Sequence, residues 1–218
     1  MDMQTSNTNN LLKYKHEELS SNSEEYKFVK NFFDTTKVIS EFVEPMQTDF
    51  KVYNIIENQP TKVLGEKRKN LMLFHGTSSK GMEGILKEGF KNSVKGLCGK
   101  GVYMTDCSSG ACFWSNIRME GNENSYIFVN EVLESEKLLT FEHEDSTQQL
   151  LQGFQHSTPK HPFEKHEIKQ SHHITELDYK EDDLGRRYRN VPHNLSSYND
   201  EYIADESLVV PRYLIIFK

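Results

Sequence analysis

The chain has 218 residues, 35% of them hydrophobic, enough for one substantial core or one core with a small appendage. Its formal charge of −7, from 26 Lys and Arg against 33 Asp and Glu, leaves no basic excess of the kind that tracks a nucleic-acid backbone, so a nucleic-acid partner is disfavoured. No apolar run reaches the length of a membrane span and MDMQTSNTNN lacks the layout of a secretion signal, so the expectation is an intracellular protein, cytoplasmic or nuclear, with no membrane partner.

Residues 1–23 are rich in Asn, Ser, Gln and Thr with scattered charge and no sustained apolar period, and read as a disordered or loosely helical leader. Residues 24–218 read as one domain. In EEYKFVKNFFDTTK, Tyr26, Val29, Phe32 and Phe33 fall at helical spacing and predict a first helix with an aromatic face. DFKVYNIIEN predicts a strand that ends in a turn, and the basic KRK at 67–69 reads as a solvated face.

LMLF then runs into His75-Gly76-Thr77. The expected unit is strand, tight turn, helix, with His75 at the turn, Ser78 or Ser79 as the cap, an apolar stripe of Met82, Ile85 and Leu86, and Gly89 as the stop. A second unit of the same grammar follows, in which Gly99-Lys100-Gly101 opens onto Val102-Tyr103-Met104 and Asp106 caps a helix carrying Ala111 and Trp114. SYIFVNEVL predicts a strand, and DEYIADES with LVVPRYLIIF predicts a closing hairpin, Pro211 marking an edge or a bulge. Residues 142–197 are polar, with ELDYKEDDLGRRYR read as a solvated loop and 155–173 as a surface insertion.

Familiar chemical motifs fail one by one. In GLCGKGVY the Lys is followed by Gly101, so it is no phosphate loop, and no GxGxxG follows a strand. His156, His161, His166, His172 and His173 share no helix face and have no cysteine beside them, so no metal is expected. Cys98, Cys107 and Cys112 are odd in number and read as free thiols, and no nucleophile elbow is present.

What remains is a dispersed set: His75-Gly76-Thr77, Gly99-Lys100-Gly101-Val102-Tyr103, and Tyr198-Asn199-Asp200-Glu201-Tyr202-Ile203. Each admits a structural reading: a hydrogen-bonded strand-end histidine, a packed Tyr103 or Trp114, and Glu201 as a solvated charge that discourages edge pairing. Taken in order, LFHGTSSKGMEGILKEGF, GKGVYMTDCSSGACFW and YNDEYIADESLVVPRYLIIF resemble the catalytic domain of the poly(ADP-ribose) polymerase family of ADP-ribosyltransferases, with its His-Tyr-Glu signature, over roughly residues 24–218.

That resemblance implies an α+β ADP-ribosyltransferase-type fold of two packed, mostly antiparallel sheets with peripheral helices and a central NAD cleft, without a helical regulatory subdomain. NAD⁺ is the implied co-substrate, with no metal. His75 would meet a ribose hydroxyl, Gly76 the nicotinamide amide, and Thr77 the adenosine ribose. Tyr103 would stack on nicotinamide, with Trp114 as a second wall. Lys91 lies where the family often has a basic residue near adenine, and Ala111 where many members carry a serine that holds the nicotinamide carbonyl. Glu201 corresponds to the catalytic glutamate, with Asp200 the alternative because the spacing to PRYLI is one residue short.

The implied activity is transfer of ADP-ribose from NAD⁺ to protein acceptors, the chain itself included, with release of nicotinamide, as single units or short chains. Three alternatives remain open: poly-ADP-ribosylation using Glu201, a non-catalytic module that binds NAD or ADP-ribose, and ADP-ribosylation of nucleic-acid ends.

Overall fold

Four consecutive apolar residues, Leu71 to Phe74, need cover on both faces of whatever strand they form. They receive it. In the computed structural model, which describes residues 12–36, 49–58, 70–93, 100–116, 124–133, 139–141, 179–181, 186–189 and 201–218, all four are fully buried. Leu71 and Leu73 pack with Ile85, Leu86, Phe90 and Phe128, whereas Met72 and Phe74 pack with Val29, Phe32, Phe33 and Ile127. One strand thereby divides two cores.

The strands are β1 (Tyr14–Glu18), β2 (Lys51–Glu57), β3 (Asn70–Thr77), β4 (Val102–Thr105), β5 (Ser125–Leu133), β6 (Leu139–Phe141), β7 (Tyr179–Glu181), β8 (Arg186–Arg189), β9 (Glu201–Ala204) and β10 (Val209–Phe217). The helices are α1 (Glu24–Thr35), α2 (Ser79–Glu88) and α3 (Ser108–Asn116). The sheet runs β1-β2-β10-β5-β3-β4-β9-β6, with β8 beside β3 and β7 beside β8. Its described pairings are antiparallel except β3 with β8. The mostly antiparallel α+β class is as expected. The two expected sheets form one ladder, β1 to β3 and β4 to β6 being joined by the single pair Phe74↔Thr105.

α1 forms where the aromatic period predicts it. Ser23 caps it by accepting the Tyr26 N–H at 3.2 Å, and Val29, Phe32 and Phe33 are the buried face. The Phe32 ring stacks on Phe74 at 4.4 Å between centroids, an arrangement worth about 0.5–1.5 kcal/mol beyond the area buried.

Five expectations change. Within the leader, Tyr14–Glu18 is a strand, not disordered or helical: it pairs along β2 and buries Tyr14 to 4% exposure. His75 lies inside β3, which runs to Thr77 before Ser78 caps α2 by accepting the Gly81 N–H at 3.2 Å. α3 begins one residue later than expected, which puts Cys107 and not Asp106 at its N-cap position. That helix starts at Ser108, whose N–H and hydroxyl donate to Thr36 Oγ1 and the Phe33 carbonyl of the α1 C-terminus, while Asp106 is buried and accepts from the Tyr202 hydroxyl at 3.4 Å. The closing hairpin is absent because a 3-10 turn, Glu206–Leu208, parts the two strands: β9 goes to β4 and β6, β10 to β2 and β5. Pro211 sits in the middle of the sheet at a register shift opposite β5, where a residue without an N–H is tolerated. Finally, ELDYKEDDLGRRYR contains β7 and β8, and the Tyr188 ring packs edge-on against Phe28 and Phe32.

KRK at 67–69 and the stretch 155–173 lie outside the described residues. Among the described residues no helix is long and apolar enough to cross a membrane, and Cys107 and Cys112 are buried.

Candidate functional site: a cavity between β3, β4 and α2

Side chains alternate along β3, so His75 continues the Leu71–Leu73 face and Gly76 the Met72–Phe74 face. Gly76 is required by packing. α3 crosses the strand so closely that a β-carbon at 76 would lie 1.9 Å from the Ala111 carbonyl oxygen and 2.9 Å from the Ser115 nitrogen. Ser115 seals this contact, its hydroxyl donating to the Thr77 carbonyl at 3.0 Å and accepting the Tyr126 N–H at 2.9 Å. Such an approach leaves no room for any residue but glycine, and it fixes α3 against the end of β3.

On the other face, Nδ1 of His75 lies 2.7 Å from the carbonyl oxygen of Tyr103, 28 positions along the chain. A carbonyl only accepts, so Nδ1 carries a proton and donates, and in the neutral form of such a ring Nε2 is the acceptor. Phe90 sets the ring plane from a centroid distance of 5.2 Å, edge to face at 88°. Phe90 is delivered by Gly89, whose φ of 84° ends α2 in the region that favours glycine.

A cavity of about 610 Å³ opens here, within the roughly 300–1,000 Å³ typical of small-molecule sites. His75, Gly76, Tyr103, Lys91 and Trp114 line it together. Tyr103 and Trp114 are half-buried aromatic surfaces on its wall, while Lys91 is exposed, 4.0 Å from Glu88. Thr77 and Ala111 are not lining residues. Thr77 is 4% exposed, its Oγ1 tucked 2.1 Å from where a β-carbon on Gly81 would stand, and Ala111 belongs to the core with Phe32 and Phe33.

The backbone of Glu201 opens β9 and pairs with Thr105 on one side and Phe141 on the other, and Thr105 is itself a lining residue. Asp200 lies outside the described residues. Tyr53, whose phenol burial and the Glu18 carboxylate hold above its ordinary range, stands on β2 beside β1, away from the cavity.

Sequence reading missed the contribution of α2. Ile85, Glu88 and Phe90 line the cavity, and so does Gly84. Gly84 is exposed in the middle of the helix, and among the described residues nothing beyond its own helix turn lies within 4 Å of a β-carbon built there. A glycine at such a place costs about 0.8–1 kcal/mol of helix stability against alanine. No contact among the described residues requires it, whereas a ligand lying on the helix backbone would. The signal was available as a helix-interior glycine one turn before the stop.

Two half-buried aromatic surfaces, a histidine locked in one tautomer and a lysine at the rim suit a ligand that carries a flat ring, hydroxyl groups and negative charge. Among the described residues, no three of His, Cys, Asp and Glu converge as metal ligands would. A search of curated proteins returns no significant match. The poly(ADP-ribose) polymerase catalytic domain, in contrast, matches over residues 23–218, which takes in α1 to β10 and leaves β1 outside. The chain belongs to the poly(ADP-ribose) polymerase catalytic-domain family, whose fold is that of the ADP-ribosyltransferases and whose substrate is NAD⁺.

Proposed function

We propose that the protein transfers ADP-ribose from NAD⁺ to protein side chains, its own included, as single units or short chains. The observation that carries this reading is the His75–Tyr103 hydrogen bond at the wall of the cavity, which brings two of the three signature segments to one place. Nicotinamide stacks between Tyr103 and Trp114, and its carboxamide takes the backbone of Gly76. With Ala111 in the place of a serine, one orienting hydrogen bond is absent, and Gly76 and the rings hold the leaving group. His75 Nε2 accepts a ribose hydroxyl, Lys91 stands toward the adenine side, and Thr77 supports that half from beneath α2.

In the reaction the bond between the nicotinamide nitrogen and ribose C1 breaks. Nicotinamide leaves neutral with the electron pair, and positive charge develops on the ribose. Glu201 stabilises that charge through the ribose 2′-hydroxyl. The acceptor nucleophile then bonds to C1 and gives up a proton.

Intact mass after incubation with NAD⁺, run with a measurement of free nicotinamide, tests the reading. Whole ADP-ribose increments on the protein, or on an acceptor protein added in trans, are expected together with nicotinamide. NAD⁺ that binds but stays whole would favour a binding module instead, and increments on an end-phosphorylated oligonucleotide but not on protein would favour a nucleic-acid acceptor.

Gly84 gives a second test with opposed signs. Gly84→Ala is expected to raise stability by up to about 1 kcal/mol and to raise KM for NAD⁺ about three- to tenfold, because the added methyl occupies space reserved for the ligand. Denaturant midpoints and initial rates check the two halves. A variant that is more stable and binds NAD⁺ as the wild type does removes Gly84 from the site.

A further inference from the structure

The exit of α2, at the rim of the cavity, is tied to the segment after β9 by a reciprocal set of hydrogen bonds. The Asn92 N–H donates to Oε2 of Glu206 at 2.6 Å, and its Nδ2 donates to Oδ2 of Asp205 at 3.2 Å. In return the Glu206 N–H donates to Oδ1 of Asn92 at 2.9 Å. The partners stand 113 and 114 positions apart in the chain. Asn92 lies between Lys91 and Ser93, both at the cavity, while Asp205 follows directly on β9, the strand that begins at Glu201. Beside the tie, Ser93 and Gly101 exchange N–H···O bonds of 2.9 and 3.2 Å, closing the neck from which the chain leaves and returns.

The choice of residue is specific. Oδ1 of Asp205 accepts from the Ser207 N–H and hydroxyl at 3.0 and 2.6 Å, which turns Oδ2 toward Asn92. Position 92 must therefore donate to one carboxylate and accept from one backbone N–H. An amide does both, whereas a carboxylate there would face Asp205 and Glu206 with like charge.

We propose that Asn92 is a positioning residue for the transfer reaction, a clasp that holds the Lys91–Ser93 rim against the end of β9 and so sets the width of the NAD⁺ cleft. This rests on the transferase reading above. With the clasp open, only a fraction of molecules present a closed cleft, and apparent affinity falls by that fraction. Ground state and transition state lose equally, so KM rises and kcat holds.

The test uses the full chain. Asn92→Ala is expected to raise KM for NAD⁺ about tenfold with kcat within about threefold, and Asn92→Asp to raise it further through repulsion. Combining Asn92→Asp with Asp205→Asn reverses the pair: the amide at 205 donates to the carboxylate at 92, which still accepts the Glu206 N–H. KM should return to within about threefold of wild type. A clasp that only stabilised the fold would lower the active fraction, and hence apparent kcat, at constant KM.

Hydrogen exchange at the Ser93 and Gly101 amides separates the two possible failures. Exchange quickened by Asn92→Asp and restored by the double substitution, in a protein that never consumes NAD⁺, overturns the transferase reading and leaves the clasp. Wild-type KM in both single variants, or a double variant no better than Asn92→Asp, overturns the clasp in an active enzyme.

Discussion

A chain starting at Ser20 is expected to melt roughly 5–15 °C below one starting at Leu12, although both keep all of the domain matched from residue 23 onward. The difference is β1. Its removal uncovers Tyr14, 4% exposed and part of the core that holds Leu71, Leu73 and Phe128, and it strips the ladder from Tyr53 to Glu57 of β2. Burying a side chain of that size contributes about 1.5–3 kcal/mol. With Ile55 also partly uncovered, the loss comes to about 2–4 kcal/mol. Backbone bonds go with it: Leu19 N–H donates to the Val52 carbonyl at 2.8 Å and Asn58 N–H to the Lys13 carbonyl at 2.9 Å.

The same truncation should reach the cavity. Lys13 N–H donates to the Lys87 carbonyl at 3.0 Å in the last turn of α2, and its side chain approaches Gly89, where a cation favours the negative end of a helix. α2 supplies Ile85 and Glu88 to the cavity wall, so KM for NAD⁺ should rise alongside the drop in melting temperature. Thermal melts of the two truncations decide it, and equal midpoints would show that β1 contributes nothing to the domain.

These particulars explain what could be read from the sequence. α1 was legible because Val29, Phe32 and Phe33 repeat with the helix, and β5 because nine residues of SYIFVNEVL carry strand composition. β1 was not, since only one of its five residues faces the core and its partner is the open edge of β2. An edge strand of that kind is recruited by its neighbour's unpaired backbone groups, which leave no mark in local sequence. Gly76 misled in another way. A glycine after a histidine reads as a turn, yet here it serves a close helix approach inside a strand.

The site divides along the same line. His75, Tyr103 and Trp114 could be named because they sit in recognisable segments, and the cavity does bring them together. The role of α2 depended on which of its residues face outward over β3, and the Asn92 clasp on a contact between distant segments. Neither follows from apolar periodicity, and the one local sign was Gly84 inside α2. The hairpin expected from β9 and β10 failed for the same reason, because adjacency in the chain stood in for pairing that Asp205 and the 3-10 turn after it prevent.

Glu201→Gln is expected to cut ADP-ribose transfer by about 10²–10³-fold while changing NAD⁺ affinity by less than about threefold. Glutamine keeps the size of the side chain and its capacity to meet a hydroxyl, but it brings no charge to a ribose that is turning positive. Interactions that strengthen only in the transition state appear in kcat and leave KM alone. The backbone register gives the choice of residue a physical footing: position 201 pairs with Thr105, a cavity residue two along from Tyr103, whose own partner is Ile203. Asp200→Asn should stay within about threefold of wild type on the same scale. The opposite ranking, with Asp200→Asn the inactive variant, would shift the catalytic carboxylate one residue back and accord with the shortened spacing to Tyr213. If both variants transfer as the wild type does, no carboxylate acts at this place, and stabilisation of the ribose cation must come from the dipoles of His75 and the strand ends. Product length adds a further discrimination. A Glu201→Gln variant that retains single additions but loses chains would separate the charge needed for bond cleavage from the base needed to activate a second ribose hydroxyl.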